Sequence, residues 1–255
     1  MNRVYSSSSL LYSLRGSLVI AEKDARIYYI KAPVVIFGIL FPLFLFLAFA
    51  LGKKVSPHIL IPGLVAMTLF FTSSSVGPLV TPWERTARTY ERLLTTPVSI
   101  FSLLLGDALA GLVFGMAISV VPLFIGIIFF GAKITHPFLL AGGMFLSSLC
   151  FSSLGVLLSS PATEAPSQVM MLSALVRFPL IFISGIFIPL ENLPFWGKLV
   201  APVSPLSYTT EIIRYSLYNA GFYPVFLDLL MPLAFSVGFF CFALQLHKRN
   251  LTRGI

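Results

Sequence analysis

Six long apolar runs separated by polar joints set the pattern of this chain: residues 33–51, 59–80, 101–130, 138–160, 167–189 and 225–246. A helix rises ~1.5 Å per residue, so each run is about long enough to cross a ~30 Å hydrocarbon core. None shows the ~10-residue polar-in, apolar-out alternation of a membrane barrel. The pattern predicts an all-α integral membrane protein, with six transmembrane helices in a single transmembrane domain over residues 1–255. Prolines fall inside the runs at Pro42, Pro62, Pro78, Pro122, Pro179 and Pro232. Each would cost a water-soluble helix about 3 kcal/mol, but neighbours in a helical bundle can satisfy the carbonyls that proline frees.

The joint between the second and third runs, TPWERTARTYERLLTTP, has a periodicity of its own. Thr81 and Glu84 have capping-box spacing and Pro82 suits a first helical position, which predicts a helix over 82–94, ended by Pro97. Trp83, Ala87, Tyr90 and Leu94 make an apolar stripe, while Glu84, Arg85, Arg88, Glu91 and Arg92 fill the other faces. Such a helix either lies on the headgroups or seats Trp83 and Tyr90 in a groove of a partner protein, and the periodicity does not choose. Residues 17–31 are also weakly amphipathic, with Lys23, Arg26 and Lys31 offset by Glu22 and Asp24.

Residues 190–224 are too apolar for an ordinary loop and too often broken by proline for another crossing. Ser204 suits an N-cap with Pro205 at the first helical position, and Glu211 and Arg214 have the spacing of an intrahelical pair. Asn192 or Leu193, ahead of Pro194, can open a shorter helix.

Composition agrees: 57% of residues are hydrophobic and 10% charged, too little polar surface to coat a soluble domain of this size. With six spans both termini share a side. That side carries eleven basic residues (Arg3, Arg15, Lys23, Arg26, Lys31, Arg85, Arg88, Arg92, Lys248, Arg249 and Arg253) against five opposite (Lys53, Lys54, Lys133, Lys198 and Arg214). The positive-inside rule places both termini in the cytoplasm, in a multi-pass protein of the plasma membrane. Basic collars facing anionic lipid headgroups account for the net charge of +8 without a nucleic-acid partner. The first residues lack the apolar stretch of a cleaved signal and are expected to be retained. Cys150 and Cys241 fall at different depths of two spans, which speaks against a disulfide.

Two separated stretches carry a family resemblance. Glu84-Arg85 followed by RTYERLLTTPVS and LLLGDAL resembles the E-(x)3-GTLERLLxTPVS...LLLGK pattern of type-2 ATP-binding-cassette (ABC) exporter permeases. The run ISGIFIPLENLPFWGKLVAPVSPLSYTTEIIR is similar to the segment those permeases carry before their last span. Arg88 stands where the family usually has glycine, Asp107 where lysine is common, and Ser204 where asparagine is usual. The resemblance implies an N-terminal interfacial elbow helix at 17–31 and a cytoplasmic coupling helix at 82–94 that docks on a separate ABC ATPase subunit. It also implies outer-leaflet re-entrant helices in 190–224. That segment reads either as an outer gate, with Ser184, Gly185, Pro189, Pro194 and Pro205 as candidates, or as an interfacial lid with no part in transport. The function implied is the permease subunit of an ATP-driven exporter of a hydrophobic or amphiphilic substrate, such as a drug, lipid or lipid-linked saccharide. A second permease copy or related chain would complete it, and ATP and Mg would sit on the partner, with no cofactor in this chain.

Other chemistry is sparse. Arg177 falls near the middle of the fifth run, where charge costs on the order of 3 kcal/mol, and so needs a partner. Asp107, about four residues or ~6 Å different in depth, is one candidate, an anionic substrate group is another, and a wet seam between two permease copies is the third. Small residues (Ser148, Ser152, Gly155 and Ser159; Thr68, Thr72 and Ser75; Gly111 and Gly115) suggest close helix packing, with a polar cavity wall as the alternative. Gly52-Lys53-Lys54 is no phosphate loop, so ATP hydrolysis is not expected here, and His58, His136 and His247 fall at span ends, which suggests neither a metal site nor a hydrolase. An ion-coupled carrier or channel remains as a second functional class. It lacks support from acidic residues at mid-membrane depth.

Overall fold

The apolar runs fold as helices that pack around one of their number. A computed structural model describes residues 7–28, 36, 40–44, 48, 56–95, 98–161, 163 and 165–252. Among these residues there are nine α-helices and no strand: α1 Ser7–Tyr28, α2 Pro57–Thr86, α3 Thr89–Thr95, α4 Ile100–Phe130, α5 Pro137–Leu158, α6 Pro166–Phe182, α7 Phe195–Val200, α8 Pro205–Tyr218 and α9 Val225–Thr252. Four segments are long and apolar enough to cross a membrane: His58–Thr86, Ile100–Phe130, Pro137–Leu158 and Val225–Asn250. The predicted first span, residues 33–51, lies mostly outside the described residues, as do residues 29–31 of the predicted elbow helix.

Two boundaries differ from the sequence reading. Helix α1 starts at Ser7 rather than near Ser17. Helix α6 has 17 residues and stops at Phe182, not at Pro189. At ~1.5 Å per residue it is roughly 25 Å long, short of a ~30 Å core. The backbone turns at Gly185, whose φ of 76° is in the left-handed region, and Leu190 occupies the space a side chain there would need.

Helix α2 is the axis of the bundle. Every residue from Ile61 to Pro82 is buried, against α4, α5, α6 and α8. Its polar stretch survives there because the hydroxyls find local acceptors: Thr72 Oγ1 donates to the Thr68 carbonyl at 2.6 Å, Ser74 Oγ to Phe70 at 2.6 Å and Ser75 Oγ to Thr72 at 2.9 Å. Ser73 Oγ lies 2.8 Å from Ser148 Oγ on α5, and Ser148 Oγ donates to the Leu112 carbonyl on α4 at 3.0 Å. The three helices meet almost backbone to backbone. A Cβ on Gly77 would sit 2.5 Å from the Gly155 carbonyl oxygen, one on Gly155 2.6 Å from that of Ser74, and one on Gly111 2.6 Å from that of Ser73. The small residues therefore serve close packing.

The outer elements attach to this centre. Ile20 of α1 lies over Gly106 of α4, Ile212 of α8 lies over Gly143 of α5, and Ser236 of α9 is 3.2 Å from Ser153 of α5. One end of the bundle carries α1, the α2–α3 turn and the C-terminal ends of α5 and α9; the other carries α7 and α8. Large apolar side chains such as Val121, Phe124 and Ile128 on α4, and Phe226, Val237 and Phe242 on α9, stay exposed, as suits a surface solvated by lipid.

The backbone contact can be tested by filling it. Gly155→Val should destabilise the detergent-solubilised protein by about 1–3 kcal/mol, the usual cost of overpacking. Gly142→Val on the same helix, where an added Cβ meets nothing within 4 Å, should change the melting temperature little.

Candidate functional site

At the α1 end the chain departs from its predicted capping. The box expected from Thr81 and Glu84 does not form: α2 runs on through Pro82 to Thr86, and Thr81 Oγ1 has no partner among the described residues. The Glu84 carboxylate is taken instead by Lys23 Nζ of α1. The break falls later, where Arg88 has φ 54° and Thr86 and Thr89 donate to the carbonyls of Pro82 at 2.9 Å and Glu84 at 3.2 Å. Helix α3 then runs only to Thr95.

That break splits the predicted apolar stripe. Trp83 is 47% exposed, whereas Tyr90 is 5% exposed and turned into the chain. Tyr90 Oη lies 3.4 Å from His247 Nδ1, and the Arg85 guanidinium stands 5.2 Å from the centre of the Tyr90 ring. Tyr90 is thus a clamp within the chain and not, as the stripe suggested, a surface anchor. Arg88 and Arg92 are exposed, while the side chains of Glu91 and Leu94 lie outside the described residues.

The same region closes the C-terminal end of α5, whose last carbonyls have no helical donor. Arg85 Nη1 donates to the Pro161 carbonyl, Asn250 Nδ2 to that of Ser160 at 2.7 Å, and His247 Nε2 lies 3.4 Å from that of Val156. Donors from α2 and α9 thereby fix the end of α5, and the arginine charge suits that pole of the helix. His247, expected as an interfacial residue, is buried here.

Beneath the turn lies a charge cluster. Lys23 Nζ is 3.1 Å from Asp24 Oδ1 and pairs with Glu84, and the buried Asp107 of α4 faces the group. Burial opposes the Lys23 charge, but Asp24, Glu84 and Asp107 carry its pKa above the ordinary lysine value. Burial lifts the Asp24 carboxyl above its ordinary value against the pull of Lys23. The sequence signal was the α1 stripe Ser17, Ile20, Asp24, all buried at i, i+3, i+7 spacing.

Asp107 is therefore engaged at the bundle end, and its pairing with Arg177, one of the candidates from the sequence, does not occur. Arg177 Nη2 donates to the Ser74 carbonyl of α2. That carbonyl is the one Pro78, four residues on, leaves without its helical N–H. Nε of Arg177 and Oγ of Ser173, one turn earlier on α6, have no partner among the described residues. Both residues line a cavity of about 260 Å³ between α2 and α6, with Phe41, Phe71 and Phe178 in its wall.

At the α8 end the outer-segment residues form corners. Ser184 Oγ donates to the Ile181 carbonyl at 2.7 Å, Pro189 precedes a 3-10 turn at Leu190–Asn192, Pro194 precedes α7, and Pro205 opens α8. Ser204 stands at the N-cap of α8, but its hydroxyl donates to the Leu180 carbonyl at 3.1 Å instead of capping. Glu211 and Arg214 pair, both buried; Arg214 Nη2 also donates to the Gly185 carbonyl at 3.3 Å, and Glu211 Oε2 accepts from Phe222 N. One ion pair thus ties the end of α6 to the start of α9.

The chain that folds into this membrane bundle, with a clamped turn at one end and a proline-cornered segment at the other, is similar in sequence to known proteins. Residues 20–218 match the family described as ABC-2 type transporter, and this chain belongs to that family, a multi-pass membrane protein. It is 24% identical over 167 residues to the Probable multidrug ABC transporter permease YbhR of Escherichia coli K12, covering 60% of this chain and 42% of that protein. It is 29% identical over 107 residues to the Daunorubicin resistance ABC transporter permease protein DrrB1 of Streptomyces coeruleorubidus, covering 42% of this chain and 36% of that protein. The match thus spans less than half the length of either relative.

Two outcomes follow from this geometry. Lys23→Met leaves Asp24, Glu84 and Asp107 facing one another without a cation. A carboxyl whose folded pKa is raised, as that of Asp24 is, favours the fold at low pH and loses that contribution as pH rises through the folded value. The loss of melting temperature should therefore be larger in mildly alkaline buffer than in mildly acidic buffer. In a double-mutant cycle, Arg177→Met should cost about 1.5–3 kcal/mol in the native background, and clearly less with Pro78→Ala, whose N–H supplies the Ser74 carbonyl.

Proposed function

We propose that this chain is the permease subunit of an ATP-driven ABC exporter, moving a hydrophobic or amphiphilic substrate out of the cytoplasm. Two copies, or one copy and a related chain, work with two ATPase subunits that hold ATP and Mg. The chain crosses six times with both termini cytoplasmic, as the eleven-to-five bias of basic residues favours. YbhR and DrrB1, named as multidrug and daunorubicin-resistance permeases, support a drug-like cargo.

The observation that carries this reading is the clamped α2–α3 turn. It presents Trp83, Arg88 and Arg92 outward while Glu84 holds α1, Arg85 holds the end of α5 and Tyr90 contacts α9. A displacement imposed on this turn moves three other elements with it, which is what a lever coupled to an ATPase must do. At the other end, the segment cornered by Gly185, Pro189, Pro194 and Pro205 is re-entrant in the outer leaflet and serves as the gate.

Co-purification with a Walker-motif ATPase tests the assignment. Trp83→Ala combined with Arg88→Glu should lower the recovered ATPase roughly ten-fold or more, as loss of a hot spot does. Tyr90→Phe should retain the ATPase and lower the melting temperature. Recovery of no ATPase with the native chain would sink the exporter reading; full recovery with the double variant would move the contact elsewhere.

A further inference from the structure

The cavity between α2 and α6 holds a cation that the described protein groups do not neutralise. Arg177 is 7% exposed and has no ion-pair partner among the described residues: Asp107 faces Lys23, Asp24 and Glu84, and Glu211 is held by Arg214. Its bond to the Ser74 carbonyl satisfies a backbone acceptor but leaves the full positive charge in place. Ser173 is 1% exposed and its hydroxyl unpartnered, as is Arg177 Nε. Residues four apart share a helix face, so two unmet donors stand on one side of α6. An N–H of a cation and a neutral O–H, both without an acceptor, call for a ligand that supplies negatively charged oxygen.

Apart from Ser75, whose hydroxyl donates to the Thr72 carbonyl, the rest of the cavity lining is apolar. The Phe41 ring lies edge-on to Phe71 at 5.1 Å and to Phe178 at 5.7 Å, and Met170 and Met171 complete the wall. Met171 is 71% exposed, so the cavity opens onto the flank of the bundle. At about 260 Å³ it falls just below the ~300–1,000 Å³ of ordinary ligand pockets, enough for a headgroup and the first part of a chain.

We propose that this cavity binds an anionic amphiphile, its carboxylate or phosphate head held by Arg177 and Ser173 and its apolar part between Phe41, Phe71 and Phe178. The head displaces no protein carboxylate, and the remaining chain leaves past Met171 toward the bilayer. Naming this ligand as cargo rests on the exporter reading; its binding does not. The head chemistry is shared by free amphiphiles and anionic bilayer lipids.

The test uses the full chain in phosphatidylcholine nanodiscs, with a dansyl-labelled fatty acid and its methyl ester as probes and no ATPase present. The acid should bind roughly ten-fold or more tightly than the ester. Arg177→Met, made in the Pro78→Ala background so that the Ser74 carbonyl keeps a donor, should bring that ratio near one while leaving ester binding intact. Ser173→Ala should reduce the ratio by a smaller factor. With the Arg177 dependence in place, competition by phosphatidylglycerol in the disc assigns the site to a bilayer lipid, and its absence assigns it to a free amphiphile. Equal binding of acid and ester by the native chain overturns the proposal, as does a ratio that survives Arg177→Met. So does an Arg177→Met effect confined to self-association, which would make the arginine part of a seam between copies. Selective binding by a chain that recovers no ATPase would leave this site standing and remove the exporter.

Discussion

The structure depends on the approach of three backbones, α2, α4 and α5, at Gly77, Gly111 and Gly155. Lipid gives no hydrophobic incentive for helices to associate, so attraction has to come from dispersion at short range and from hydrogen bonds between helices. Glycine and serine allow that distance, and the link between Ser73 and Ser148 adds a polar tie at the same level. Burial of α2 on all sides follows, because α4 and α5 meet it over facing surfaces and α6 and α8 close the remainder. With no side chain between α2 and α5 at Gly77 and Gly155 to change rotamer, these helices behave as one body.

A second theme is the use of side chains as donors to backbone carbonyls. Arg177 serves the carbonyl that Pro78 leaves empty, and Arg85, Asn250 and His247 serve the end of α5. In each case the element receiving the bond belongs to a different helix, so satisfying a local backbone deficit also sets the position of a neighbour. Pro78 and Arg177 are two halves of the same packing solution.

Much of this was legible beforehand, for physical reasons that can be named. The apolar runs at 59–80, 101–130, 138–160 and 225–246 correspond to α2, α4, α5 and α9, because the length of a crossing is imposed by the bilayer. The pair Glu211 and Arg214 was legible because both lie within one helical turn. What failed were predictions that treated a local signal as decisive when a distant group competed for it. Thr81 and Glu84 have the spacing of a cap, yet Lys23, sixty-one positions away, takes the carboxylate. Tyr90 shares a periodicity with Trp83, yet one left-handed residue between them reverses its side. Asp107 was one candidate partner for Arg177, and the group that Arg177 meets within the protein is a peptide carbonyl. Only the register of α2 against α6 could reveal that pairing.

Arg88 adopts a left-handed backbone that costs a residue bearing a Cβ about 1–2 kcal/mol. Glycine would relieve that cost but would sample many conformations when unbound. Arginine samples fewer and disfavours this one, so the bonds on either side, from Thr86 to the Pro82 carbonyl and from Thr89 to the Glu84 carbonyl, have to hold the turn. The surrounding fold therefore carries a small local cost in stability to keep this exposed bend in one shape.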